Sequence, residues 1–276
     1  MARSRRPSRA IRALGAAPAP ASTGILKTPA EIDAMAASGA VLAAAHEAMA
    51  AAIAVGVTTR ELDAIAAQTI RDAGAAPAFL GYQGFPATIC PSVNDQVVHA
   101  IPGGYALAEG DLISIDCGAV LDGWVSDAAR TYVVGSGNAE AIRLSEVTRS
   151  ALAAGIAAAT AGNHIGDIGN AVQSVVEAAG FSCVESLVGH GVGRSMHEPP
   201  NVPNFGAPGT GEPLPEGLVI AIEPMVNTGG PDVMLGPDRW TVTTKDGTLS
   251  AHWEHTVAIT AAGPRILTAG PRGSAG

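Results

Sequence analysis

Two distant segments of the chain repeat one pattern of apolar and polar positions. Val55–Gly74 aligns without gaps on Ala161–Gly180, so that Leu62 falls on Ile168 and both segments end in Ala-Gly. Each segment follows an Ala-rich run, and each half predicts two consecutive helices that lead into strands. The repeat therefore predicts a pseudo-twofold α+β domain in which four helices cover one side of a sheet. The alternative is that any two amphipathic Ala-rich helices resemble each other without a duplication.

Capping residues mark where the first two helices begin. Thr28-Pro29-Ala30-Glu31 is a capping box with Pro at the first helical position, and Thr58-Thr59-Arg60-Glu61 is a second capping box. These signals predict a first helix that runs towards Gly56 and a second helix that stops at Gly74.

Strand-like alternation replaces the helical pattern in Asp111–Gly135. Isoleucines alternate with polar residues there, and Asp122-Gly123 is a strong signal for a hairpin turn. With this turn at the centre, Asp127 lies opposite Gly118 and diagonal to Asp116 on the same face. Two carboxylates that point together are costly unless a cation or a proton joins them. The pattern therefore favours a shared cation, and two solvated aspartates are the alternative.

Two further acids lie in or beside apolar strand-like runs. Glu223 closes the run that begins at Val219, and a charge in this position is rarely fully exposed. Glu254 lies in a second run, where it shares one face with His252. We interpret His252 and His255 as polar or core-rim residues rather than as ligands.

A stretch rich in Gly and Pro, Val188–Pro200, carries two histidines. Gly costs conformational entropy and Pro removes a backbone donor, so a stretch of this composition indicates a position where the backbone needs an unusual conformation.

One imidazole and four carboxylates on strands can hold two divalent metals, with one Asp and one Glu bridging. An oxygen-rich shell suits Mn or Fe(II) and accepts Co or Zn. Such a pair creates a hydroxide at neutral pH and polarises a carbonyl. The five acceptors are Asp116, Asp127, His190, Glu223 and Glu254.

The composition predicts one large core built from small residues. The chain has 276 residues, of which 47% are hydrophobic and 4% aromatic. The three cysteines are widely spaced without a C-x-x-C pair, which predicts reduced thiols in a cytosolic protein. We expect no membrane span, because charged residues interrupt the Ala-rich run at 30–57.

Charge is divided unevenly along the chain. Residues 1–24 carry five arginines and no acid, and removing these charges from the formal total of −9 leaves −14 for residues 25–276. An acidic body argues against a general nucleic-acid binder and can hold cations. The first segment has no periodic apolar face and no apolar signal region, so we predict a disordered basic tail at 1–24 before a single domain at 25–276.

Six stretches together show that the chain resembles methionine aminopeptidases of type I, which have the pita-bread fold. The resemblance runs from about Ile25 to the C-terminus, with a short Gly/Pro loop where type II members carry a helical insert. It implies a catalytic pita-bread domain that removes the initiator methionine from nascent proteins when the second residue is small. The stretches are GYQGFPATIC, SVNDQVVHAIPG, ISIDCG with DGWVSDAART, GHGVGRSMHEPPNVPNFG, AIEPMVN and WEHTVAIT.

The resemblance implies a role for each residue that matches a family motif. The five acceptors fall on the family's ligands for two divalent ions, and His99 and His197 fall on its two substrate histidines. His197 is implied to donate to the scissile carbonyl oxygen as it becomes anionic, while His99 contacts the nitrogen side of the bond. Glu223 is implied to be the proton shuttle as well as a ligand.

The methionine pocket implied by position is apolar and contains one thiol. Phe79 stands where many members have Cys, Met196 where many have Phe, and Ala128 where Thr is frequent. Met is adaptable and apolar, so we expect selectivity for methionine to be kept. The pocket residues are Phe79, Tyr82, Phe85, Cys90, Met196 and Trp240.

The resemblance also implies a site for a monovalent cation, Na or K, because Asn94 and Ser250 match two positions of that site in the family.

The resemblance also implies a monomer in the cytoplasm that acts on the N-terminal Met of nascent polypeptides. The basic tail predicts contact with the RNA phosphates of the ribosome. A passive extension or an organelle-type targeting segment is the alternative interpretation of the tail.

Two other functions are weighed against this one. Xaa-Pro aminopeptidases and creatinases share the fold but usually carry a large extra N-terminal domain, which we do not expect here, and Cys90 and Trp240 argue against them. A pita-bread binding module without catalysis would have lost ligands, whereas all five are present. No cysteine precedes Cys90, so no N-terminal zinc finger is expected.

Overall fold

The computed structural model describes residues 24–270, and the predicted basic tail lies outside them except for its last residue. The helices in this part of the chain are α1 (Pro29–Ala52), α2 (Thr59–Asp72), α3 (Ala139–Ala158) and α4 (Ile165–Ala178). The strands are β1 (Ala76–Pro77), β2 (Ile89–Val93), β3 (Gln96–Val98), β4 (Leu112–Leu121), β5 (Trp124–Val133), β6 (Ser182–Cys183), β7 (Gly189–Gly191), β8 (Glu198–Val202), β9 (Val219–Ile222), β10 (Met225–Asn227), β11 (Val233–Leu235), β12 (Val242–Thr244), β13 (Ser250–His252), β14 (His255–Thr260) and β15 (Gly263–Ile266).

The helices form two pairs that follow the predicted repeat. α1 packs on α2 and α3 packs on α4, and α2 and α4 begin and end at aligned positions of the two segments. The residue before each of these helices forms an isolated antiparallel bridge, Thr58 with Ala106 and His164 with Pro213. The predicted duplication of helix pairs is therefore confirmed.

Both predicted capping boxes are present, at Thr28–Glu31 and Thr58–Glu61. In each box the Thr side chain accepts from the Glu N–H, while the Glu carboxylate accepts from the Thr N–H. The first helix ends at Ala52, before the predicted region of Gly56. Gly56 has a φ of 89° and donates its N–H to Leu107 O at 2.7 Å, so the backbone there already turns away from the helix.

β4 and β5 form the predicted hairpin with the predicted register. Asp122 and Gly123 have φ values of 51° and 74°, as a tight primed turn requires. Gly118 lies opposite Asp127, and the pairing is regular along the whole hairpin. Asp116 and Asp127 are therefore diagonal neighbours on one face, as the alternation and the turn predicted.

The described strands pair antiparallel in four sheets. The orders are β15-β14-β9-β7-β8, β1-β4-β2 with β5 beside β4, β13-β10-β6, and β11-β12-β3. One apolar cluster fills the space between α1, α2 and the β4–β5 hairpin, and others lie between α3, α4 and β9, β10 and β14. The two halves meet where β5 lies beside β14.

α1 is the one helix among the described residues that is long and apolar enough to cross a membrane, by length and composition only. It packs against α2, β4 and β5, and Met35, Leu42 and Met49 on it are fully buried. Ser38 and His46 on the same helix are also fully buried and bond to the β4–β5 hairpin. This packing is that of a core helix in a globular domain.

Candidate metal centre and substrate cavity

The five proposed ligands come from five different strands or strand ends. Asp116 lies in β4 and Asp127 in β5, His190 is the middle residue of β7, Glu223 follows β9, and Glu254 precedes β14. Antiparallel pairing within each half brings the strands together, and the contact between β5 and β14 joins the halves. The structure thus gathers residues that are far apart in the chain.

Hydrogen bonds hold the backbone at three of the four acids, and those at Asp127 and Glu254 join the two halves. The Asp127 N–H donates to Thr256 Oγ1 at 3.0 Å, and the Thr256 hydroxyl donates back to Asp127 O at 2.8 Å. The Glu254 N–H donates to Ala129 O at 2.9 Å. The Asn204 side chain donates to Glu223 O at 3.0 Å. The backbone at each of these acids is therefore held independently of any ion.

His190 presents a ring nitrogen to the acids. Its Nε2 lies 3.8 Å from Asp127 Oδ2 and 3.6 Å from Glu223 Oε1. Its Nδ1 lies 2.9 Å from Gly191 O, and a proton on Nδ1 that is donated to this carbonyl leaves the Nε2 lone pair free. Burial lowers the pKa of His190 to about 4, so the imidazole is neutral at pH 7.

The carboxylates fit a divalent cation because they are crowded and lack other partners. Asp127, His190 and Glu254 each offer one ligand atom, and these atoms lie within 4.8 Å of one another. Three carboxylate oxygens are buried without a hydrogen-bond partner among the described residues: Asp116 Oδ1, Asp127 Oδ1 and Glu254 Oε1. Burial raises the pKa of all four carboxyls, that of Asp127 to about 7. Such a cluster is costly as anions unless cations neutralise it.

The two proposed substrate histidines lie on different parts of the chain beside this cluster. His197 has its ring centroid 4.2 Å from that of His190, and its Nδ1 lies 2.8 Å from Tyr82 Oη. When the Tyr82 hydroxyl donates to Nδ1, the proton of neutral His197 is on Nε2 and is available as a donor. His99 follows β3 with a φ of 60°, a left-handed backbone that a non-glycine residue rarely adopts.

A cavity of about 690 Å³ joins the acidic cluster to an apolar pocket. Phe85 and Trp240 pack edge to face with ring centroids 5.1 Å apart. Gly118 leaves room at the wall, because a Cβ there would lie 2.9 Å from Phe79 Cε1 and 3.0 Å from Met196 Cε. All proposed ligands, both substrate histidines and all pocket residues line the cavity: Phe79, Tyr82, Phe85, Cys90, His99, Asp116, Asp127, His190, Met196, His197, Glu223, Trp240 and Glu254.

His252, which the sequence predicts to be a polar or core-rim residue rather than a ligand, also lines the cavity. It is buried, and its Nε2 lies 3.6 Å from Glu223 Oε2. Burial lowers its pKa to about 3, so it is neutral. The signal that points to it in the sequence is its position two residues before Glu254 on the same strand face. His255, by contrast, faces Thr268 Oγ1 at 2.8 Å and does not line the cavity.

A family model described as metallopeptidase family M24 matches residues 33–261. The chain belongs to metallopeptidase family M24. This M24 peptidase is 53% identical to methionine aminopeptidase 1 of Mycobacterium tuberculosis, over 87% of this chain and 93% of the relative. It is 51% identical to a methionine aminopeptidase of Clostridium perfringens, over 88% of this chain and 98% of the relative.

Comparison with solved structures also finds methionine aminopeptidases. A methionine aminopeptidase from Rickettsia prowazekii superimposes on the peptidase with a TM-score of 0.87 at 40% identity, covering 88% of this chain and 98% of that one. A prolidase from Pyrococcus furiosus superimposes with a TM-score of 0.71 at 26% identity, but only 65% of its chain is covered. The predicted pita-bread fold and the predicted resemblance to methionine aminopeptidases are confirmed. The match covers a larger share of the Rickettsia methionine aminopeptidase chain than of the prolidase chain.

Proposed function

We propose that this peptidase removes the initiator methionine from nascent polypeptides whose second residue is small. The observation that carries the proposal is that one cavity contains an acidic cluster, two histidines and an apolar pocket. The cluster suits metal-dependent hydrolysis, and the pocket suits a long unbranched apolar side chain. Methionine fits this description.

The residues that would hold divalent metals are Asp116, Asp127, His190, Glu223 and Glu254. Two bound cations would supply a nucleophilic hydroxide at neutral pH and polarise the substrate carbonyl. The donor set of four carboxylates and one imidazole suits Mn or Fe(II) and accepts Co or Zn. Ser250 supports a separate site for Na or K. Its Oγ is buried without a hydrogen-bond partner in the described part of the chain, and its N–H donates to Asn94 O at 2.9 Å.

Three side chains of the peptidase perform the remaining steps. Glu223 takes a proton from the attacking water, which leaves hydroxide as the nucleophile, and passes that proton to the leaving amine. His197 donates to the carbonyl oxygen as negative charge develops on it. His99 contacts the nitrogen of the scissile bond from the other side of the cavity.

The pocket predicts which substrates are cleaved. The metal-loaded peptidase should release Met from Met-Ala-Ser and should reject Leu-Ala-Ser and Lys-Ala-Ser, because the pocket walls bury an unbranched apolar chain and offer Lys no anionic partner. Met-Trp-Ser, with a large second residue, should be cleaved slowly, and a chelator should stop all release. Liquid chromatography of the products measures these rates. Release of Leu as fast as Met would contradict the proposal. It would mean that Phe79 and Met196 have changed the selectivity of the pocket.

We also propose that the peptidase works as a monomer in the cytoplasm, with the basic tail as a salt-sensitive contact to the ribosome. The tail carries five arginines while the remainder of the chain has a formal charge of −14. Ribosomal RNA presents dense phosphate charge close to the emerging substrate, and a basic segment raises local concentration there.

Deletion of residues 2–24 should weaken co-sedimentation with ribosomes at low salt and leave turnover of a free peptide unchanged. A full-length variant with the five tail arginines replaced by Gln is the matched control, and it should behave like the deletion if charge is the cause. Equal sedimentation of the deletion and the intact chain at low salt would overturn the proposed role of the tail.

A further inference from the structure

Lys27 is a buried lysine that the proposed mechanism does not use. Its side chain is 2% exposed, and its Nζ lies 2.6 Å from Glu198 Oε2. Nζ also donates to Ile25 O at 2.9 Å, and the Lys27 N–H donates to Gly217 O at 2.7 Å. Both the side chain and the backbone of Lys27 are therefore anchored. Its partner, Glu198, is the residue after His197 in the chain.

The second oxygen of Glu198 holds the bend formed by residues 193–197. Glu198 Oε1 accepts from the Arg194 N–H at 2.8 Å and from the Ser195 N–H at 3.1 Å. Gly193 leaves the space for the pair, because a Cβ there would lie 2.5 Å from Lys27 Cε and 2.7 Å from Glu198 Oε1. One carboxylate is thus surrounded by an ammonium and two backbone amides, and charge-assisted bonds of this kind are the strong ones.

His197 lies inside the loop that this carboxylate closes. The chain leaves the carboxylate at the Ser195 N–H and returns to it at Glu198, so the contacts of Glu198 restrict the backbone of His197. Among the described residues, the His197 side chain has one hydrogen bond, with Tyr82 Oη. The bend is also joined to the β4–β5 hairpin, which carries Asp116 and Asp127, since the Val125 N–H donates to Gly193 O at 2.9 Å.

We infer that Lys27 is a positioning residue for His197. It holds the Glu198 carboxylate, and the carboxylate holds the bend that places the His197 imidazole against the substrate carbonyl. The inference rests on the proposed function of His197. It predicts that loss of the Lys27 charge lowers turnover without removing metal, because none of the five metal ligands bonds to Lys27 or Glu198.

The test measures kcat and KM for methionine release from Met-Ala-Ser by the metal-loaded full chain. Lys27→Met should lower kcat about tenfold to a hundredfold, the scale of an ångström-sized misplacement, with unchanged metal content. The double variant Lys27→Met with Glu198→Gln, called the neutral pair, should lower kcat by less than the single variant does. No charge is left unpaired in it, and the Gln oxygen still accepts from the two amides. The neutral pair replaces Lys27→Met in every comparison if the single variant does not fold.

The deciding measurement is repeated in the His197→Ala background. A residue that acts through His197 has nothing left to position there, so the same change should alter kcat less than about twofold. An equal loss with and without His197 would overturn the inference and leave Lys27 a general structural support, as would a wild-type kcat in the single variant and the neutral pair.

Lys245→Met is the matched control, because it removes an exposed ion pair with Asp232 in which the Lys side chain is 64% exposed. It should keep the wild-type kcat. Failure of the wild-type chain to release methionine would count against the proposed function, whereas wild-type release that does not depend on Lys27 would count against this inference alone.

Discussion

Replacement of Asp127 by Asn should abolish methionine release. Asp127 is the central acid of the cluster: its Oδ2 lies 3.8 Å from His190 Nε2, and it shares a set of close ligand atoms with His190 and Glu254. Asn keeps the shape of the side chain but removes its charge and one anionic oxygen. Mutation of a residue that merely supports a metal ligand lowers metal affinity or activity by up to about a hundredfold. Mutation of a ligand itself should lower activity by more than that. The measurement is kcat/KM on Met-Ala-Ser at a known metal content.

Asp122→Asn is the control for this change. It makes the same substitution at the turn of the same hairpin, where the side chain is exposed and Asn tolerates the φ of 51°. Asp122→Asn should keep full activity. Turnover close to the wild-type value in Asp127→Asn, with metal loading controlled, would contradict the assignment of Asp127 as a ligand.

Replacement of His197 by Ala should lower kcat on the order of a hundredfold or more, the usual cost of removing one donor to an oxyanion. The His197 ring accepts or donates a hydrogen bond with Tyr82 and lies tilted beside the His190 ring, but its proposed role as donor requires no bond to a metal. The metal content of His197→Ala should therefore remain normal. Fixed-time assays with Met-Ala-Ser measure kcat, and metal analysis of the same preparation measures metal content.

His190→Ala provides the contrast. Its Nε2 lies between Asp127 and Glu223, so the truncation should reduce metal content as well as turnover. If both histidine variants retain metal equally well, the proposed division between a ligand and an oxyanion donor is wrong.

The β4–β5 hairpin was predictable in detail because two local rules act on it together. Alternation has a period of two, and Asp122-Gly123 defines the turn, so the register follows from the sequence alone. The capping boxes were predictable for the same reason, since each one joins residues three positions apart. The end of α1 was not, because Gly56 is held by Leu107, a residue far along the chain.

His252 and Lys27 show which contacts could not be derived from local patterns. The sequence places His252 on the face of Glu254, but its approach to Glu223 depends on how β13 packs beside β10. Lys27 and Glu198 are separated by most of the chain, and no local sequence pattern around either residue predicts the contact between them. Both pairs exist because distant strands pair in a particular order.

The sequence by itself determined the helix pairs, the hairpin register, the motif residues and the family of this peptidase, because each of these depends on short-range spacing or on residue identity. Only the tertiary structure decided that the five acceptors, two histidines and six pocket residues line a single cavity. It also decided that Lys27 reaches the loop of His197. The physical reason is that antiparallel pairing and the burial of apolar faces set long-range distances, and these depend on the whole chain rather than on any one segment.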